Sequence, residues 1–197
     1  MKKGKYNKVN IISGVNRNEG TFQLFLEFVN PTLREKLKQN FEKYGPINLS
    51  FKDEKNPLEL TKKVYRYYLQ REDTVTTEDD RLKMIELKTD RHFKVCHDTV
   101  SNFFAADDDI NLYTYQLDHF GQVSMFSFPG FNRTNLIAHV DDLPYLFPGS
   151  RMFGGKYLED ENDLKLAEII LNLWVNFAEM GIQFYLFIFQ KSNPSRI

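Results

Sequence analysis

Apolar residues along this chain fall into short blocks whose spacing changes between two and about 3.6, which predicts a mixture of strands and helices. Residues 8–14 are apolar and rich in β-branched side chains, the mark of a buried strand ending at Gly14. The polar loop Val15-Asn-Arg-Asn-Glu-Gly20 follows, so Glu19 stands just past the carboxyl end of that strand, and residues 21–28 read as a short apolar helix. Asn30-Pro31 supplies a cap and a first-turn proline for a helix with Leu33, Leu37, Phe41 and Tyr44 on one face, stopped by Gly45-Pro46. The same grammar recurs at Asn56-Pro57, where Glu59 completes a capping-box pattern for a helix through Leu69.

Thr77 is the expected cap of a helix over residues 78–88 carrying Leu82, Met84 and Ile85. A further helix over residues 91–106 is expected to bury Phe93, Cys96, Val100 and Phe103 or Phe104. Asp107-Asp-Asp109 lacks the glycine and the twelfth-position glutamate of a calcium loop and reads as a solvated turn. Residues 111–118 alternate as the clearest strand, with Tyr113 and Tyr115 assigned to one face and Leu112 and Leu117 to the other. Residues 122–128 are read as extended. Residues 163–180 form a strong helix with Leu164, Ala167, Leu171, Trp174 and Ala178 on a shared face and Gly181 at its C-cap. Residues 183–189 are then aromatic and apolar, before a polar end.

With 197 residues, 42% of them hydrophobic, the chain has material for one globular domain with a substantial core. A formal net charge of -1 supplies no field for nucleic acid or anionic lipid, so no nucleic-acid partner is expected. The single cysteine, Cys96, excludes an internal disulfide and reads as a buried free thiol. The basic start is followed by too short an apolar run for a secretory signal, and residues 182–189 are too few to span a bilayer. Asn48-Leu-Ser and Asn132-Arg-Thr are sequons, which make Asn48 and Asn132 candidate glycosylation acceptors if the protein is secreted. Compartment and oligomeric state are not written in this pattern.

Candidate chemistry centres on His139, in a loop after a strand-like segment. An imidazole there can take and return a proton within one cycle. Glu19 occupies the same kind of position upstream, and in open α/β sheets sites collect beyond the carboxyl ends of strands, so the two can converge. His92, Cys96 and His97 match no usual zinc spacing and read as helix packing. His119 beside Asp118 reads as a structural pair, and Asp141 and Asp142 either tune the pKa of His139 or form an exposed helix start, the two readings fitting equally well.

An acid followed in sequence by a histidine is the second half of an α/β-hydrolase triad. Gly14-Val-Asn-Arg-Asn-Glu-Gly-Thr-Phe22 resembles the acid loop of the type-B carboxylesterase and cholinesterase family, where a glutamate orients the histidine. Leu136-Ile-Ala-His-Val-Asp-Asp-Leu-Pro-Tyr-Leu-Phe147 is similar to the family's histidine loop, in wording nearest the insect-type esterases. Leu87-Lys-Thr-Asp-Arg-His-Phe93 looks like its aspartate-containing helix junction, Tyr113-Thr-Tyr115 with Asp118 like its last core strand, and Leu173-Trp-Val-Asn-Phe-Ala178 like its late helix.

The resemblance implies an α/β class: the C-terminal part of an α/β-hydrolase fold, with an incomplete central sheet and flanking helices. It implies one carboxylesterase-type domain over residues 1–181, followed by an atypical tail, 182–197, that reads as the end of a truncated or misjoined product. It also implies Glu19 and His139 as catalytic residues, a small-molecule ester as substrate of the complete enzyme, and neither metal nor organic cofactor. The family's Gly-x-Ser-x-Gly elbow has no counterpart, since no two glycines stand four apart, and no His-Gly-Gly-like oxyanion run occurs. These residues alone are therefore expected to be inactive. A non-catalytic, cholinesterase-like adhesion protein is the alternative the same resemblance allows.

Overall fold

The computed structural model describes residues 5–72, 77–131, 133 and 135–181. The expected tail, residues 182–197, and the candidate acceptor Asn132 lie outside that set. Two compact units are built from interleaved segments. The first takes the chain up to Asn16, Cys96–Met125 and the chain from Val140; the second takes Arg17–Val95 and Phe126–His139.

In the first unit, strand β1 (Ile11–Asn16) pairs in parallel with strand β2 (Leu112–Leu117), Ile11 opposite Leu112 and Asn16 opposite Leu117. β1 starts and ends later than its composition suggested, and most of it is half-buried. Gly14 does not end the strand. A Cβ there would lie 2.4 Å from the Tyr115 ring, so the glycine makes room for a close cross-strand approach. Strand period puts Leu117 on the face of Tyr113 and Tyr115, which corrects the assignment of Leu117 to the opposite face. That face meets helix α8 (Glu161–Met180), which follows the single-turn α7 (Leu143–Leu146); there Tyr113 packs edge-on to Phe177 at 6.1 Å and Tyr115 to Trp174 at 5.2 Å.

α8 begins two residues earlier than expected, because Asp160 caps it by accepting from the Asn162 and Asp163 N–H groups at 2.8 and 3.2 Å. Its buried stripe contains Asp163, Ala167 and Leu173, with Trp174 and Phe177 against β2, whereas Leu164 and Leu171 are exposed. The expected face was turned because apolar residues occur on more than one side of this helix. Gly181 ends it with φ +67°, as the C-cap pattern required. Asp107 is not a merely solvated turn: it accepts from Tyr6 Oη at 2.5 Å and from Lys8, and the lysine, then the tyrosine, hold its carboxyl down at about 2. Residues 122–128 form turns and loop rather than a strand.

The second unit is helical. Its helices are α1 (Thr21–Val29), α2 (Pro31–Gln39), α3 (Phe41–Asn48), α4 (Pro57–Leu69) and α5 (Glu78–Thr89). The single helix expected across residues 31–44 is split at Asn40, which leaves helical geometry and caps α3 by accepting from Lys43 N at 3.2 Å. Nor does Gly45-Pro46 stop the chain. Gly45 has no Cβ to clash with the proline ring, so Pro46 is carried inside α3. Asn56 makes no side-chain cap hydrogen bond among the described residues, so the box expected with Glu59 is not formed, although α4 has the predicted span. The box that does form is at α5, between Thr77 and Asp80.

Leu49, Tyr65, Leu69, Met84 and Leu87 close one core of this unit, the leucines and Met84 each contributing about 1.5–3 kcal/mol by leaving water. Leu82 stays exposed. After α5 the chain makes a π-helical turn, Asp90–Lys94, before α6 (Val95–Ala105). The wider turn shifts the helical phase, so the 3.6 period read across residues 91–106 fails beyond it. Cys96 and Val100 are accordingly exposed rather than buried. Phe103 and Phe104 pack edge-on against Tyr6.

Candidate functional site

Glu19 lies in the turn that follows β1 and opens α1. The next residue, Gly20, has no room for a side chain: a Cβ would meet Ile85 O at 2.3 Å and Thr89 N at 2.6 Å. Its N–H donates to Thr89 Oγ1 at 2.9 Å, and that hydroxyl donates to Ile85 O at 2.7 Å. The end of α5 therefore grips the acid loop through a buried threonine. Leu136, Ile137 and Ala138 are buried, and Leu136 packs with Leu24 of α1 and Ile85 of α5. Three consecutive buried residues fix the segment, and His139 emerges at its end. The strand-like stretch before the histidine is reduced to an isolated parallel bridge between Asn18 and Ala138.

That bridge brings Glu19 and His139 together. His139 Nδ1 lies 2.6 Å from Glu19 Oε2. The Glu19 side chain is 8% exposed and that of His139 36%, so a buried carboxylate holds a ring with one part open to solvent. Phe22 and Phe93 lie against the imidazole, with centroids 5.4 and 5.1 Å away and tilted planes. Phe93 reaches it from the π-helical turn, a geometry found often at functional positions. Period reading placed Phe93 in the helix core; the widened turn gives it this second task. Val140, directly after the histidine, has φ +64°, which a β-branched residue adopts only at a cost.

Other candidates fall elsewhere. His119 does not pair with Asp118: its Nε2 is 2.6 Å from Asp163 Oδ1, whose other oxygen accepts from Gln122 N at 2.9 Å. Asp141 is buried and accepts from Ser124 Oγ at 2.5 Å, which corrects its reading as part of an exposed helix start, while Asp142 accepts from Asn16 at 3.3 Å. Asn48, a candidate glycosylation acceptor, donates through Nδ2 to Glu27 at 2.9 Å and accepts from the buried Lys88 at 2.8 Å. A sugar on that nitrogen would compete with this network. Among the described residues no group of three or more His, Cys, Asp or Glu is placed to hold a metal ion. No helix among them is long and apolar enough to cross a membrane.

The sequence model of the carboxylesterase family matches residues 1–195. The chain belongs to the carboxylesterase family. Among curated proteins it is similar to a juvenile hormone esterase of Tribolium castaneum, with 24% identity over 190 residues. That match covers 92% of this chain and 32% of the relative, so the chain spans about a third of the esterase's length. The mixed helix and strand architecture, with its small parallel sheet, fits membership in an α/β family.

Proposed function

We propose that residues 1–181 are the C-terminal part of a serine carboxylesterase domain, in which Glu19 and His139 supply the acid and the base of a Ser-Glu-His triad. The observation that carries this reading is the 2.6 Å contact between a buried carboxylate and Nδ1 of a partly open imidazole. With Nδ1 committed to Glu19, proton transfer falls to Nε2. His139 would take the proton of a serine as its oxygen attacks an ester carbonyl, then deliver it to the departing alcohol. Glu19 would fix the tautomer and stabilise the imidazolium. Water repeats the cycle on the acyl-enzyme, and no step calls for a metal or organic cofactor. The substrate is a carboxylic ester.

The 197 residues contain neither a Gly-x-Ser-x-Gly elbow nor an oxyanion glycine run, so this polypeptide by itself is expected to hydrolyse no ester. Loss of a triad nucleophile alone costs on the order of 10⁶ in turnover. The test is to read the transcript encoding these residues through both ends, express what it encodes and measure hydrolysis of a 4-nitrophenyl ester. If a serine elbow is encoded, the product is expected to be active, with His139→Ala lowering kcat by about 10⁶ and Glu19→Gln by about 10⁴. A serine-bearing product that keeps its activity in His139→Ala overturns the assignment. A product without the elbow that still cleaves the ester overturns the mechanism.

A further inference from the structure

The contact at 2.6 Å joins two residues 120 positions apart, and among the described residues the backbone of their loops forms one isolated bridge, Asn18 to Ala138. One bridge is weak registration for a hydrogen bond that a shift of about 1 Å would break. We infer that Asn18, supported by Arg17, is the positioning clamp that sets the Glu19–His139 contact; the inference rests on the triad reading above.

Asn18 grips one residue, Ile137, through both of its backbone polar groups. Its backbone N–H donates to Ile137 O at 2.9 Å, and its side-chain Oδ1 accepts from Ile137 N at 3.1 Å. A side-chain carbonyl thus takes the place of a missing strand partner. Ile137 is fully buried, so losing that acceptor would strand an amide in a dry environment. Asn18 O also accepts from Thr21 N at 3.0 Å, which fixes the start of α1. Arg17 braces the arrangement: its Nε donates to Asn18 Oδ1 at 3.3 Å and its Nη2 to Asn135 O at 2.6 Å, at a residue held at φ +61°. Glu19 is the next residue on one side of the clamp, and His139 is two residues beyond Ile137 on the other. The clamp touches neither reacting group. It acts by allowing the two loops one register.

The test uses the full chain labelled with 15N-histidine, following exchange of the His139 Nδ1 proton by NMR, with far-UV circular dichroism as a fold control. Asn18→Ala is expected to speed that exchange about tenfold, the loss of a charge-assisted hydrogen bond, in a protein that remains folded. Asn18→Asp keeps the Oδ1 acceptor and is expected to restore slow exchange. Arg17→Ala is expected to give an intermediate rate. Wild-type exchange in a folded Asn18→Ala protein overturns the clamp. Should that variant not fold, wild-type exchange in Arg17→Ala overturns it instead. Glu19→Ala separates the two claims: a slow Nδ1 proton that survives it removes the pair reading, whereas one lost there and kept in Asn18→Ala removes only the clamp.

Discussion

Each unit of this protein contains a histidine against a buried carboxylate, and the two pairs match closely at first sight. Glu19–His139 and Asp163–His119 both measure 2.6 Å, with histidine side chains 36% and 33% exposed and carboxylates 8% and 2% exposed. They differ in the ring nitrogen used. His119 spends Nε2, its far nitrogen, which leaves Nδ1 close to its own backbone. His139 spends Nδ1, the nitrogen nearer its own backbone, so Nε2, which reaches furthest, is not the one on the carboxylate. The surroundings differ too. Asp163 also accepts from Gln122 N and Tyr145 Oη, and stands in the first turn of α8, where the helix dipole favours its charge. Distance and burial alone do not separate the two pairs; the ring nitrogen used and the other partners of the carboxylate do.

The largest effect that would sharpen this contrast is on stability in the first unit. Asp163→Ala removes the acceptor that joins the end of β2, the Tyr145 hydroxyl and the start of α8, and is expected to cost about 3 kcal/mol in urea unfolding. A cost below about 1 kcal/mol would mean that the His119 pair is no more of a tie than any surface contact. Glu19→Gln is expected to cost about 1 kcal/mol, with its consequence concentrated in the protonation chemistry of His139 rather than in folding. If Glu19→Gln proves the more damaging of the two, the roles assigned to the pairs are reversed.

A third change has the opposite sign. Val140 follows the catalytic candidate with φ +64°, while residues 118–122 contain no positive φ. Val140→Gly is expected to stabilise the chain by about 1 kcal/mol, the strain of a β-branched side chain less the added freedom of glycine in the unfolded state. Thermal unfolding checks it. A fall in Tm would show that the valine side chain contributes more by packing than its backbone costs.

What could be read in advance follows a physical line. The meeting of Glu19 and His139 was legible because each sits in a loop after an apolar segment, where open α/β sheets bring residues together. Thr77 and Gly181 were legible because caps are local. The partner of His119 was not, since Asp118 is adjacent in sequence whereas Asp163 arrives 44 residues later. Phe93 and Cys96 were misassigned for one reason: a π-helical turn breaks the period on which the reading depended. Asn18 gave no signal at all. Its role exists only once residues 135–138 lie beside it.

The smallest effect concerns pH, and it uses a third histidine that has no carboxylate partner of the kind just compared. His92 in the π-helical turn is held below its ordinary pKa by burial first, then by Lys88 and Arg91, with a hydrogen bond to the backbone of Asn48 pulling the other way. Its Nε2 is buried without a hydrogen-bond partner among the described residues. The folded state therefore binds its proton less readily than the unfolded state does. Stability is full above the unfolded value near 6.5 and falls as the pH drops from there through the lower folded value, because the unfolded chain takes up the proton first. Tm measured between about pH 7 and 5 should decline, and His92→Gln should flatten that part of the decline. An unchanged slope in His92→Gln would assign the acid sensitivity to other groups.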